Sequence, residues 1–383
     1  MSIEKISRVG GGPSPGIMKS RRPRAVFTLF AGFRSNGARN PLSVMIALGA
    51  LLCVSSVAAI CLGAYRIAPT TLLAALWRPG ALGVDPTILD QARAVLLSIR
   101  LPRVVLALIV GAGFGAAGSA LQALLRNPLA DPGLIGISSG AALGASLAIV
   151  CAPWLLSHFG FAGDSVTAFA AFAGALVVTA LVYRLSARRG RLSLPVLLLS
   201  GIALNALAGA TIGVMTYVAS DSQLRSLTFW SLGSLAGVQW RTILILLPLV
   251  ALSAALIGKC SRALNVMQLG EMEAHHLGVP VQRVKRIVLI AAALSVGAIV
   301  SCTGQIGFIG LVAPHCVRLV CGPDQRWVLP GAMLFGASLT VLSDLAARTI
   351  AAPAEVPLGI LTALIGGPFF LALILRNRER LGA

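Results

Sequence analysis

Charge is scarce in this 383-residue chain, and acidic charge scarcest of all: Asp, Glu, Lys and Arg make up 11% of residues, with 12 acidic against 31 basic. A soluble globular domain carries roughly a quarter of its residues as charges. With 57% hydrophobic residues and a mean hydropathy of +0.90, that class is excluded. Cysteine chemistry is missing as well. The seven cysteines lie in or beside apolar runs with no C-x-x-C pair, which leaves them as small buried hydrophobes. Only four histidines occur, and the adjacent pair His275 and His276 point about 100° apart on a helix, unlike the i, i+4 pair a metal site needs. No metal ligand set is expected. The chain also has no G-x-x-x-x-G-K-[ST], no H-E-x-x-H and no paired carboxylates on one face. No catalytic residues are expected on this chain.

What is present is length and greasiness. Apolar runs recur that can each cross a hydrocarbon core of about 30 Å. Ten spans are expected: 41–64, 101–125, 134–152, 163–185, 195–219, 240–257, 287–302, 307–321, 329–348 and 358–375. The eighth is short and contains Pro314, so a kink or partial re-entry is expected there. The fold class is all-α, a polytopic membrane protein with ten transmembrane helices.

Lys and Arg test that layout. With an even span number and the N-terminus inside, 23 of the 31 fall in inner segments and eight outside, the bias of the positive-inside rule. Both termini are thus expected in the cytoplasm. The net charge of +19 reflects topology, since no basic face with interleaved aromatics accompanies it and nucleic acid is not an expected partner. Residues 1–40, rich in Gly, Pro, Ser and Arg, form a basic tail without the composition for a core, expected to be disordered or to lie on anionic lipid. No cleavable signal peptide is evident, because the first apolar span is far inside and too long for an h-region. The membrane-spanning body is expected over 41–383.

One polar island interrupts the pattern, LGEMEAHHLGVP at 269–280, inside the basic stretch 259–286. Glu271 and Glu273 suit a helix N-terminus, His275 and His276 its end, and Gly278 with Pro280 stop it. A helix of about two turns is not stable alone, so it must pack on something. Close helix packing is expected elsewhere, from the G-x-x-x-G pairs 111/115, 140/144 and 209/213. Asp344 is the one acid well inside a span, with Arg348 one turn on, the pattern of a locally neutralised pair. Such poverty of buried acids argues against a proton-coupled carrier. Energy must come from a partner, or conduction is passive.

Several segments together resemble one family. SIRLPR (98–103), QALLRNPLADPG (122–133), GISSG (136–140), LGEMEAHHLGV (269–279), GFIGLVAPHCVRL (307–319), SDLAAR (343–348), EVPLG (355–359) and ALIGGPFF (363–370) are similar, in order and spacing, to permeases of type II ATP-binding-cassette (ABC) importers for iron chelates, haem and cobalamin. The likeness covers about 41–380, and the long basic tail departs from it. The resemblance implies a homodimer with the pathway on its two-fold axis, two cytoplasmic ATPase subunits and an extracytoplasmic substrate-binding protein. ATP and Mg are expected on those ATPase subunits, and no cofactor on this chain.

By position, the resemblance assigns Arg100, Arg103 and Arg348 to outer-face docking of the binding protein. The expectation is of exposed guanidiniums, with Leu101-Pro102 fixing the first two just before a helix begins. Arginines at a membrane boundary also snorkel to headgroups. Glu271, Glu273, Ala274, His275, His276, Leu277 and Gly278 fall in the coupling helix, the lever by which ATPase closure reaches the spans. Ser200, Asn205, Thr211 and Thr216, on the fifth span, fall along the translocation pathway as a mildly polar face, with hydrogen bonds to neighbouring helices as the competing role. The tenth span would contribute to it from the other side with Gly366, Gly367 and Pro368. NPLADPG (127–133) is read as a turn near the ATPase surface, and His315 as a packing residue. The outer motif QLRSLTFWSLGSL (223–235) looks most like haem permeases, with ferric siderophore next and cobalamin after. Competing classes are an ion-coupled secondary transporter of a bulky ligand and a membrane-embedded enzyme, both short of ionisable groups.

Overall fold

Inside a bilayer a backbone amide has no water to bond, so a spanning segment must satisfy its own ladder, and helices do this within one segment. The described spans all do so. The computed structural model describes residues 40–63, 86–159, 163–188 and 191–381. The basic tail up to residue 39 lies outside the described residues, as do Arg66 and Arg78.

In chain order the helices are α1 (Pro41–Cys61), α2 (Pro86–Val95), α3 (Leu101–Leu124), α4 (Ile137–Val150), α5 (Ala152–Phe159), α6 (Asp164–Ser186) and α7 (Leu194–Val218). They continue as α8 (Asp221–Leu232), α9 (Trp240–Met267), α10 (Glu271–His276), α11 (Val281–Thr303), α12 (Ile309–Cys321), α13 (Gln325–Ala347) and α14 (Leu358–Leu381). A two-residue ribbon, β1 (Ala187–Arg188) with β2 (Arg191–Leu192), joins α6 to α7. A single π-type turn, Leu96–Arg100, connects α2 to α3 without a break.

Seven described helices are long and apolar enough to cross a bilayer, and α4 with α5, bent by 57°, makes an eighth. Shorter apolar helices are α12 and the Leu358–Leu373 part of α14. Each of the ten expected spans thus carries a helix. Several overrun the expected bounds: α9 runs ten residues past 257, α11 starts six residues early and α14 ends six residues past 375. These extensions carry Lys or Arg, which a hydropathy reading cuts off and a helix need not.

α3 is the axis of the bundle. Its apolar window is 83% buried, whereas that of α7 is 17% buried and α1 less still. The packing is backbone-close: a Cβ on Gly111, Gly115 or Gly118 would overlap a carbonyl oxygen of Gly336, Ala332 or Gly310 on α13 and α12. Gly140 and Gly144 of α4 stand against Gly174 and Ala170 of α6 in the same way. The pair Gly209 and Gly213 behaves differently. Among the described residues nothing lies within 4 Å of a Cβ on either, so that face of α7 is open there.

Hydrogen bonds define two ends of the bundle. Gln325, at the start of α13, donates to Ser119 O near the end of α3 (3.3 Å). Asp344, near the end of α13, binds Arg103 at the start of α3. Along α13 the 19 residues from Gln325 to Asp344 separate these points by about 28 Å at about 1.5 Å per residue. α10 sits at the first end, next to the C-terminus of α9.

Candidate functional site

α10 is built to be held from below and open above. Glycine enters and leaves it. Gly270 has φ +144°, and Glu273 folds its carboxylate over that glycine where any Cβ would collide. At the other end Gly278 (φ +80°) closes a Schellman cap: its N–H donates to His275 O (3.0 Å) and Val279 N–H to Ala274 O (2.9 Å). Ala274 is fully buried beneath the helix. Both oxygens of Glu271 lie 2.7 Å from Nζ of Lys285, itself 1% exposed. Met272, Glu273, His275, His276, Leu277 and Gly278 face outward, with Met272 and Leu277 about two-thirds exposed. The seven expected coupling residues therefore divide. Ala274 is buried and Glu271, its side chain 34% exposed, is paired with Lys285, which would otherwise be a buried unpaired charge; the other five face outward.

A second polar knot stands at this end. Asn265, in the last turn of α9, donates to Asp324 (2.6 Å) and accepts from the N–H of Gln325 (2.7 Å), while Gln268 donates to Pro323 O (3.3 Å). Asp324 caps α13 and takes Arg326 in a bidentate pair, which pulls its carboxyl down to about 2. On α12, Arg318 donates to Gln122 (2.9 Å), whose amide donates to Leu311 O (3.1 Å). The turn read as NPLADPG follows directly: Leu129 N–H bonds Asn127 and Gly133 N–H bonds Asp131 (2.7 Å). α9, α3, α12 and α13 are thus tied together beside α10.

At the opposite end the three expected docking arginines lie close together, but not as exposed guanidiniums. Arg100, Arg103 and Arg348 are 4%, 7% and 8% exposed. Arg103 reaches Asp344 through Nε (2.9 and 3.1 Å) and Glu355 through Nη1 (2.8 Å). Arg348 pairs with Asp344 at 3.6 Å and donates to Ala59 O; Arg100 donates to the carbonyls of Ile60 and Cys61, the latter at 3.1 Å. These are the last carbonyls of α1, which a helix leaves without intrahelical donors. The arginines cap α1 and neutralise Asp344. Nor does Pro102 stand before a helix: the chain is already helical from Pro86, and Arg100 lies inside the π turn. Glu355, with a side chain 42% exposed, is the part of this cluster that solvent sees most.

A model of the FecCD transport family matches residues 51–376. The chain belongs to the FecCD transport family. It is 48% identical over 295 residues to the hemin transport system permease protein HmuU of Yersinia pestis, covering 76% of this chain and 86% of that one. It is 42% identical over 294 residues to the cobalamin import system permease protein BtuC of Halobacterium salinarum, covering 76% and 75%. A solved structure described as an inward-facing metal-chelate type ABC transporter superposes with TM-score 0.75 at 32% identity, over 88% of this chain and 99% of that one. The fold is therefore that of a type II ABC importer permease, and this FecCD protein is a transport component.

The expected pathway residues on α7 of this FecCD permease do not make one polar face. Leu197, Gly201 and Ala208 are buried against the bundle. At about 100° per residue, Ser200 and Thr211 flank that stripe on one side and Asn205 and Thr216 on the other. Asn205 is turned toward its neighbours, accepting from Ser139 and donating to Gly133 O (3.2 Å). Thr211 and Thr216 donate to carbonyls of their own helix, Leu207 and Ile212. The outward face mixes small residues, Ala206, Ala210 and Gly213, with large apolar ones such as Leu199, Ile202 and Tyr217. Hydrogen bonding within the bundle accounts for Asn205.

Two features were not anticipated from sequence. α8 was read only as an outer motif, yet Ser220 and Gln223 form a capping box that starts a helix, and Gln223 also donates to Val150 O (3.0 Å). The S-x-x-Q spacing was the available signal. Lys285 was counted only as an inner positive charge. Its signal was its place in the stripe Val281, Val284, Lys285, Val288, a lysine where helical periodicity puts the core.

Proposed function

We propose that this chain is the permease of an ATP-driven, binding-protein-dependent importer of an iron complex, with haem as the favoured cargo. It works in the bacterial inner membrane as a homodimer, with two ATPase subunits seated on α10 from the cytoplasm and both termini on that side. The observation that carries this reading is α10 itself, a six-residue helix rigidly based on Ala274, Glu271 and Lys285 and presenting Met272, His275, His276 and Leu277 outward. An apolar and imidazole-bearing knob of this kind, with no catalytic constellation behind it, is suited to receiving force rather than to chemistry. Mg and ATP belong on the partner.

The open face of α7, with its small residues and Gly209 and Gly213 unpacked, is where a second copy and the pathway between copies would lie. Ser200 and Thr216 border it. The binding protein docks at the arginine end, where three guanidiniums against two carboxylates leave a net positive charge that favours an acidic partner. In this reading the arginines set the shape of the docking edge while Glu355 is its exposed part. Haem is favoured because the relative at 48% identity is named for hemin; cobalamin is the second cargo because another relative is named for it.

The test is uptake by proteoliposomes holding the permease with its ATPase and binding protein, offered haem, a ferric siderophore or cobalamin. Haem accumulation that excess cobalamin does not suppress is expected. Cobalamin accumulation without haem uptake would reassign the cargo and leave the rest standing.

A further inference from the structure

Lys285 does more than anchor α10. Its ammonium, buried to 1% exposure, holds both oxygens of Glu271 at 2.7 Å and also donates to the carbonyl of Leu192 at 3.0 Å. Leu192 is the second residue of β2, and the chain enters α7 two residues later. One turn earlier on α11, Gln282 accepts from the N–H of the same Leu192 at 2.8 Å. Both backbone groups of Leu192 are therefore satisfied by side chains of α11. The ribbon is closed on its other side by Ala187 and by Ser193 N–H to Ser186 O (3.1 Å). One cation thus bonds α10 and the lead-in to α7 at the same time.

A buried lysine at this position is not explained by stability alone. Desolvating an ammonium is expensive, and a well-packed apolar residue of similar size is often neutral or better. The neighbours in the stripe, Val281, Val284 and Val288, are the apolar kind that a structural position would take. What an apolar side chain could not do is fix a carboxylate of one element and a carbonyl of another in a set relation.

We propose that Lys285 is a positioning residue for coupling: displacement of α10 passes through Glu271 and Lys285 to Leu192, and so to the N-terminus of α7. The inference rests on α10 being the ATPase seat and names the route from that seat to the open helix. Because the tie is a charge-assisted bond to each side, α10 and β2 move together rather than through the slack of the intervening helices.

The test uses the complete complex in proteoliposomes, with haem as the probe cargo and wild type as the reference. Lys285→Met should assemble and hydrolyse ATP while haem imported per ATP falls by about tenfold, and Lys285→Arg should recover part of the loss. Spin labels at Met272 and Arg191, both exposed, should keep one narrow separation with and without ATP in the wild type, and a broadened or shifted one in Lys285→Met. An unchanged haem-to-ATP ratio together with an unchanged separation would overturn the proposal. Should Lys285→Met not assemble, Glu271→Gln carries the same two readings, with a smaller fall expected and no change overturning it. Leu277→Arg separates the two levels. If it abolishes ATPase binding while the lysine variant is silent, only the relay is wrong; if ATPase binding survives it, the seat itself is wrong.

Discussion

Asp344 serves two arginines from the last turn of α13, Arg348 one turn on and Arg103 241 positions earlier. Removing it would leave Arg103 with Glu355 alone and Arg348 with no carboxylate, each less than a tenth exposed. Breaking one side of a buried pair costs about 3–5 kcal/mol, so Asp344→Leu should lower the denaturation midpoint in detergent sharply. A variant that melts like wild type would remove the structural role given to this cluster. Arg103→Lys is not a mild change either, since one ammonium cannot reach Asp344 and Glu355 in the forked geometry the guanidinium uses. At the other end Asp324 titrates low, near 2, because Arg326 and Asn265 bond its charged form. A depressed carboxyl contributes stability that is complete above its unfolded value and fades as pH falls through its folded one. Stability should therefore decline between about pH 4 and pH 2 from this source. Asp324→Asn should flatten that part of the acid melting curve, and an unaltered slope would contradict the assignment.

Among the elements, α3 and α10 show two uses of glycine. Gly118 lets α3 touch the backbone of α12, where a Cβ would overlap Gly310 O. Gly118→Val should prevent folding to the native bundle, at a cost of more than about 3 kcal/mol. Gly213→Ala on α7 meets open space and should leave subunit stability unchanged, any effect falling on dimerisation or transport. Gly278 is needed for its conformation. Gly278→Val puts a β-branched residue at φ +80° and should loosen the end of α10 by about 1–2 kcal/mol, read as ATP hydrolysis with reduced uptake. Normal uptake per ATP in that variant would mean the cap has no part in coupling. The bounds of α10 could be read from its glycines, proline and charges because caps are local chemistry. Burial of the arginines could not. Their partners lie 241 and 252 positions away for Arg103, and position alone does not say whether a guanidinium near a membrane face turns outward or inward. The same holds for Asn205, whose amide has the same appearance in sequence whether it lines a pathway or ties α7 to Gly133.

For the whole molecule, hydropathy and the Lys/Arg bias carry the span number because the bilayer imposes one length and one charge asymmetry on every segment. Which helices end up central is decided by packing, and the sequence hint was the density of small residues on α3. On α7 the same kind of residue does not mark a central helix, since Gly209 and Gly213 face away from their own subunit. The result is a bundle with a tight interior built on α3, α11 and α13 and loosely covered helices around it, α1 and α7 among them, the latter reached from α10 through Lys285. In this account energy enters at one end and no step of its release occurs on the chain. The decisive measurement is haem accumulation in proteoliposomes with all partners present, comparing ATP without an ion gradient against an ion gradient without ATP. Accumulation with ATP alone, absent under the gradient alone, is the predicted result. Accumulation driven by the gradient without ATP would contradict it.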